Sequence, residues 1–218
     1  MPEGETILNT VSPYYFRRVE MLKKTIAILV DWENIRKGIF EQATRKLNKW
    51  VDYNEPGNLI NLIRSFVNKE EEIFRIFLYL SDPLEKVSFR GEIYDFSNEP
   101  AYVASSNFIK KIGLLDYIAV RKGKLKFRGF DKDDKPIVIQ KQVDMLMGLD
   151  IAHLAYTKTA DRILVLSGDT DIIPALKTAR VNGLQVVIGY CSDVGNLNSG
   201  LMLHADFIRG RDFASIFS

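Results

Sequence analysis

Among its 218 residues the chain has one cysteine, Cys191, and two histidines, His153 and His204. A single thiol excludes an internal disulfide framework, a four-cysteine zinc site and a paired-thiol redox centre. Two imidazoles are too few for a histidine-rich metal site. An excess of one charge is also missing, since 30 Lys plus Arg oppose 28 Asp plus Glu and leave a formal +2. No global field draws nucleic acid to such a chain, so a basic binding surface has to be local. No apolar run approaches the roughly 20 residues that span a bilayer. Glu3 and Glu5 stand where a secretory signal needs a positive start. The expectation is a soluble cytoplasmic protein with no membrane partner. What is present is apolar material, 46% of residues, enough for one sizeable core.

Residues 1–24 carry Pro2, Gly4, Pro13 and a basic run ending in Lys23-Lys24 without a clear period, and are expected to form an N-terminal arm. Residues 25–218 are expected to form a single domain. Ile26-Ala27-Ile28-Leu29-Val30 is a β-branched apolar run closed by Asp31, the pattern of a strand buried on both faces. The spacing predicts further strands over 73–80, 114–120, 162–166 and 184–190, and a short apolar stretch at Phe207-Ile208. It predicts helices over 35–47, 59–69, 102–112, 143–156 and 172–181, with a final one near 197–204. Gly123, Gly129 and the run Asp131-Lys132-Asp133-Asp134-Lys135-Pro136 predict a hairpin excursion over 121–139. Segment 83–94 shows no clear pattern. Apolar strands alternating with amphipathic helices imply an α/β fold with a mostly parallel sheet covered on both faces. In such a sheet the functional cleft lies beyond the carboxyl ends of the strands, where strand order reverses. Asp31 and Asp169 would share that rim.

Asp31, Glu33 and Asn34 follow the first strand, Asp144 opens a helix after Gln142, and Asp169 and Asp171 follow the strand over 162–166. A hard divalent cation such as Mg2+ takes oxygen ligands, often one or two carboxylates plus waters and substrate phosphate oxygens. The chemistry needing such a cluster is phosphodiester hydrolysis, in which a divalent cation activates water and shields the phosphate charge without histidine or cysteine. Asn34, Asp144 and Asp171 each have a structural alternative, because a short oxygen-bearing side chain at those positions could cap the following helix. Asp31 and Asp169 have a weaker one, since a carboxylate closing an apolar strand is costly to bury unpaired. Glu33 and Asp150 read as solvated or structural.

Lys122, Lys124, Lys126 and Arg128 alternate with Gly123, Leu125 and Phe127, so an extended chain would place the four cations on one face. Such a stripe would grip a nucleic-acid backbone without reading sequence. It equally suits an edge strand protected by lysines. Arg36, Lys37, Lys110, Lys111 and Lys141 could extend the surface, and Tyr53, Tyr79 and Tyr102 are available for base stacking.

Taken together, Ile28-Leu29-Val30-Asp31-Trp32-Glu33-Asn34, Lys141-Gln142-Val143-Asp144, and Leu164-Val165-Leu166-Ser167-Gly168-Asp169-Thr170-Asp171 followed by Gly183-Leu184-Gln185-Val186-Val187 resemble the NYN domain of the PIN-like nucleases, and within it the bacterial LabA-like branch. The resemblance covers roughly residues 25–208. It implies a three-layer α/β/α sandwich and metal-dependent cleavage of RNA, single-stranded above all. It places Asp31, Asn34, Asp144, Asp169 and Asp171 at the family's site positions. Asp31, Asp144 and Asp169 would hold Mg2+ or Mn2+, Asn34 and Asp171 would orient ligands or water, and Lys122, Lys124, Lys126, Arg128, Lys141 and Ser167 would contact the nucleic acid. The chain departs from the family pattern at Gln142, where glycine is usual, and at Ile172, where an aromatic is common.

Two other functions fit the residues. One is an RNA-binding or regulatory module that keeps the pocket and turns over nothing. The other is a haloacid-dehalogenase-type phosphatase with Asp31 as nucleophile and Ser81 as a hydroxyl, although Glu33 stands where that class needs a second aspartate. RNA versus single-stranded DNA, internal versus terminal cleavage, and assembly into a homo-oligomer stay open at this level.

Overall fold

The computed structural model describes residues 23–133 and 135–218. The expected arm therefore lies outside the described residues apart from Lys23 and Lys24, and Lys24 already belongs to the first strand, β1 (Lys24–Asp31). Every residue of β1 from Ile26 to Asp31 is buried. It runs directly into α1, residues 32–47. This helix opens as an α-turn (Trp32–Ile35), widens into a π-helical turn (Arg36–Phe40) and finishes as α-helix (Glu41–Leu47). Then come α2 (Pro56–Ser65), β2 (Glu71–Ser81), β3 (Lys86–Phe89), β4 (Glu92–Asp95), α3 (Pro100–Ile112), β5 (Ile118–Phe130) and β6 (Pro136–Lys141). The remainder is α4 (Val143–Thr157), β7 (Arg162–Leu166), α5 (Ile173–Val181), β8 (Gln185–Cys191), α6 (Ser199–Met202), β9 (Phe207–Arg211) and α7 (Phe213–Ile216).

Seven strands form one sheet in the order β6-β5-β2-β1-β7-β8-β9, and all neighbouring pairs are parallel except β5 with β6. Odd and even residues of β1 serve opposite faces, as pleating requires. Ile26, Ile28 and Val30 pack with Phe40 of α1, Leu62 of α2, Phe108 of α3 and Phe213 of α7. Ala27 and Leu29 pack with Met147 and Ile151 of α4, Leu176 of α5 and Leu201 of α6. The result is an α/β/α sandwich with a mostly parallel central sheet. The chain leaves β1 toward β2 on one side and later returns as β7 on the other, so the carboxyl ends of β1 and β7 flank the point where strand order reverses. Among the described residues no helix is long and apolar enough to cross a membrane.

The strand expected over 114–120 begins only at Ile118. Leu114 and Leu115 sit in the turn that ends α3, where Leu114 is 86% exposed. The excursion expected over 121–139 is half right. β5 pairs with β2 as far as Gly123, then continues past the end of β2 as an antiparallel hairpin with the edge strand β6, with a register shift between Phe127 and Gly129. The unpatterned segment 83–94 is largely the β3–β4 hairpin, which seats Phe89 against Phe127 and Phe130 at 5.4 and 6.1 Å between ring centroids.

Candidate functional site

At the end of β1 the chain turns into α1 without a loop, and Asp31 itself becomes the cap: its Oδ1 accepts a hydrogen bond from the Asn34 N–H at 3.1 Å. Asn34 is thus free to act across the cleft, and its Oδ1 accepts from the Gly168 N–H at 3.1 Å. The second rim loop repeats the first. Asp169 caps the turn Thr170–Ile172 through Oδ1 and the Asp171 N–H at 2.9 Å, while the Asp169 N–H donates to Ser167 Oγ at 3.1 Å. The capping role open to Asn34 and Asp171 as an alternative therefore falls three and two residues earlier, on Asp31 and Asp169. These bonds tie two strand ends remote in sequence into one rigid rim. A Cβ on residue 168 would stand 3.1 Å from Asn34 Oδ1, so glycine there lets the loops approach.

Asp144 arrives from the other side, in the first turn of α4, where a negative charge suits the helix N-terminus. Two backbone features place it. Gly123 of β5 lies so close to the start of α4 that an added Cβ would meet Lys141 O at 2.6 Å and Val143 Cγ2 at 2.8 Å. Gln142, the residue before α4, is held in the left-handed region at φ 74°. A side chain there costs about 1 kcal/mol, which accounts for the glycine usual in the family pattern. Gln142→Gly is expected to raise stability by roughly 0.5–1 kcal/mol, the steric relief exceeding the added chain entropy. Urea denaturation of the two proteins checks this.

Asp144, Asp169 and Asp171 each offer a carboxylate oxygen within 4.8 Å of those of the other two. Asp31 is not one of the three. It lines the same cleft, of about 450 Å³, with Glu33, Asn34, Lys37, Gly38, Gln140, Val143, Asp144 and Asp169. None of the four aspartates is ion-paired to Lys or Arg among the described residues. The consequence shows in the acidities. Burial, followed by the charges of Asp144, Asp169 and Glu33, pushes Asp31 up to about 6 against the opposing Asn34 hydrogen bond. Partial desolvation and then Asp169 and Asp171 raise Asp144. Glu33 is the contrast: burial works against its charge, yet Arg36 at 2.7 Å and Lys37 at 2.6 Å hold it below the ordinary range. An all-oxygen, uncompensated anionic set is what a hard divalent cation requires.

A buried carboxylate that titrates above its unfolded value destabilises the ion-free fold once ionised. The cost is absent below the unfolded value near 3.8 and complete above the folded value near 6. In EDTA at pH 7.5, Asp31→Asn is therefore expected to be more stable than wild type by about 2 kcal/mol, since the amide oxygen can still cap Asn34. The gain should vanish near pH 4, where both proteins are neutral at this position; thermal melts at the two pH values test it.

The remaining expected contacts are dispersed. Lys122, Lys124, Lys126 and Arg128 are all exposed; the alternation puts the three lysines on one face of β5, and Arg128 sits at the register shift between Phe127 and Gly129. Lys122 is paired with Asp82 at 2.7 Å. The opposite face of the hairpin carries Leu125 and Phe127, so the cationic face points away from the surface those two help build. Lys141 is exposed at the end of β6. Ser167 is 5% exposed, its hydroxyl engaged by the Asp169 N–H. Tyr79 is fully buried and donates to Asp150 Oδ2 at 2.8 Å, which removes it from any stacking surface; Asp150 also holds Arg121 at 2.8 Å, a structural role. Gln140, Gly38 and Trp32 line the clefts and were not singled out in the sequence as cleft residues. The spacing predicts the first helix only from Ile35, and the direct passage from β1 into α1 that brings Trp32 to the cleft lies outside that expectation.

A crystal structure from Vibrio parahaemolyticus, of a protein of unknown function, superposes with a TM-score of 0.50 at 18% identity, covering 88% of this chain and 96% of that one. This agreement concerns the fold. The crystal structure of Sa239 is more distant, with a TM-score of 0.33 and 11% identity over 86% of this chain and 60% of the other. No curated protein matches. The NYN domain matches residues 25–206, a span that runs from β1 through all four aspartates to the start of β9. The chain belongs to the NYN domain family.

Proposed function

We propose that this protein is a cytoplasmic, metal-dependent ribonuclease of the PIN-like, LabA-like kind, acting on single-stranded RNA. The observation carrying the reading is the set of three carboxylates, Asp144, Asp169 and Asp171, gathered within 4.8 Å without a compensating cation beside buried Asp31. Asp144, Asp169 and Asp171 would hold Mg2+ or Mn2+, with Asp31 adding a fourth charge on the cleft floor. A divalent cation bound there supplies Lewis acidity and charge shielding to a phosphodiester. The chain's own part is positional. Asn34 locks the two rim loops together, and Lys37 stands on the cleft wall where a phosphate would enter. The exposed stripe of Lys124, Lys126 and Arg128 would hold a more distant part of the strand electrostatically.

That stripe is also the observation favouring the second reading, an RNA-binding module, because it is separate from the acidic cleft and needs no turnover. The phosphatase reading loses its support, because Glu33 is committed to Arg36 and Lys37. Purified protein is expected to cut end-labelled single-stranded RNA with Mn2+ and to leave it intact in EDTA. Retention of RNA on the protein with no cutting at any Mn2+ concentration would transfer the conclusion to the binding module.

A further inference from the structure

Beside the acidic cleft, and sharing Glu33, Lys37 and Gln140 with it, lies a second and larger chamber of about 620 Å³. Its size is ordinary for a small-molecule site, which spans about 300–1,000 Å³. Its walls come from widely separated segments: Trp32 and Arg36 of α1, Tyr53 before α2, Ser81 at the end of β2, Tyr102 and Ser105 of α3, and the apolar face of the β5–β6 hairpin through Leu125 and Val138. The hairpin that projects past the end of β2 thus closes this chamber with one face while showing its lysines to solvent with the other.

The lining is aromatic in a particular way. Trp32 stacks on Phe108 at 4.5 Å with planes 18° apart, Tyr53 meets the Trp32 edge at 6.3 Å, and the Arg36 guanidinium lies 5.7 Å from the Tyr53 ring. Tyr102 differs from these. It is half-buried on the chamber wall, and among the described residues no ring, cation or hydrogen bond engages it. Ser81 is the second unsatisfied group: its Oγ is the one buried side-chain polar atom without a hydrogen-bond partner among the described residues. Such a group costs about 1–3 kcal/mol unless something pairs with it, and native proteins rarely leave one without a reason. The Ser81 oxygen is itself sealed from solvent beside Gly123, so what the chamber offers a ligand is the idle aromatic face of Tyr102 and the amides of Asn54 and Gln140, which together suit a flat heteroaromatic ring with polar edges.

We infer that this chamber receives the nucleobase of the nucleotide adjoining the phosphate placed at the acidic cleft, with Tyr102 as a stacking face and Gln140 at the junction of the two spaces. The inference rests on the nuclease reading for its geometry, since a phosphate beside Lys37 and Gln140 puts the attached nucleoside at the chamber mouth. Stacking on an aromatic tolerates every base, and the polar edge groups would then set preference among them.

The test is equilibrium binding in EDTA of a short single-stranded RNA, intact or carrying one abasic nucleotide scanned along its length, to wild type, Tyr102→Ala and Ser105→Trp. Ser105→Trp fills the chamber from α3 without touching an aspartate. At one position the abasic change is expected to weaken wild-type binding about tenfold, the order of one lost base–aromatic stack. Tyr102→Ala is expected to lose about as much with intact RNA and nothing further with the abasic one, and Ser105→Trp should behave likewise. Both variants should keep the rise in melting temperature that Mn2+ gives wild type. Losses that simply add, absence of any abasic effect, or absence of RNA binding would overturn the chamber assignment. Coupling in a protein that never cuts RNA would instead retain the chamber and remove the nuclease reading, whereas cutting without coupling would do the reverse.

Discussion

Asp169→Asn is expected to lower RNA cleavage by about 10²–10³-fold while leaving the fold in place, an effect of the size seen when charge stabilisation is removed from a preorganised site. The choice of asparagine matters. Asp169 Oδ1 caps the turn after β7 by accepting from the Asp171 N–H at 2.9 Å, and an amide oxygen can accept the same bond. Alanine would remove the cap as well, costing about 1 kcal/mol and confusing chemistry with stability. Asp144→Asn should give a similar loss of activity from the opposite wall, with a small penalty for removing a charge from the first turn of α4.

A readout independent of turnover accompanies this. An ion that binds only the native state at a hundred times its Kd stabilises by about 2.7 kcal/mol, which in a domain of this size raises the melting temperature by about 5–10 °C. Wild type should show that rise on adding Mn2+, and Asp169→Asn and Asp144→Asn should not. If the variants still cut RNA, the metal role of these carboxylates is wrong. If they lose the thermal response and wild type has no nuclease activity, the cluster binds an ion for another purpose. Asp31→Asn sits apart from both, because its expected gain in stability comes from the same crowding of negative charge that makes the cleft suitable for a cation.

Much of this was legible in the residues. An unbroken β-branched run closed by a carboxylate has few explanations other than a central strand, and Ile26–Val30 and 162–166 lie side by side at the core with Asp31 and Asp169 on one rim. Strict alternation from Lys122 to Arg128 survives as alternating exposure along β5. What stayed hidden depended on register or on assembly. The caps are Asp31 and Asp169 rather than the alternatives Asn34 and Asp171, because which oxygen-bearing residue caps depends on the backbone angles at the end of each strand. Leu114-Leu115 has the composition of a strand start but falls in a turn. Tyr79, Tyr53 and Tyr102 look alike in the sequence. Only the β1–β2 pairing, which opposes Asp31 to Tyr79, buries the first and leaves the other two on a cleft. The aromatic chamber was beyond reach, since its wall is drawn from segments between Trp32 and Gln140 that share no motif.

At the opposite end of β2 from its site-facing residue Ser81, Glu71→Gln is expected to destabilise the protein by about 3–5 kcal/mol, as breaking a buried ion pair from one side does. The Glu71 side chain has no exposure. Its Oε1 accepts from Arg162 Nη1 at 2.8 Å and Arg209 Nη2 at 2.6 Å, and its Oε2 from Arg209 Nη1 at 2.8 Å and the Asn68 N–H at 2.9 Å. One carboxylate thereby joins β2, β7 and β9, and its loss would strand two guanidinium groups, of which Arg209 is 8% exposed. Although burial opposes the charge, hydrogen bonds from Arg209, the Asn68 backbone and Arg162 bring Glu71 down to about 2. A depressed carboxylate stabilises the native state fully above its unfolded value near 4.5, and the contribution fades as pH falls toward 2. Wild type should therefore lose stability steeply across that window, and Glu71→Gln should lose much less of what remains. Since the substitution lies far from the acidic cleft, the folded fraction should keep its Mn2+ response; a variant that loses ion binding without losing stability would show that the two ends of the sheet are coupled.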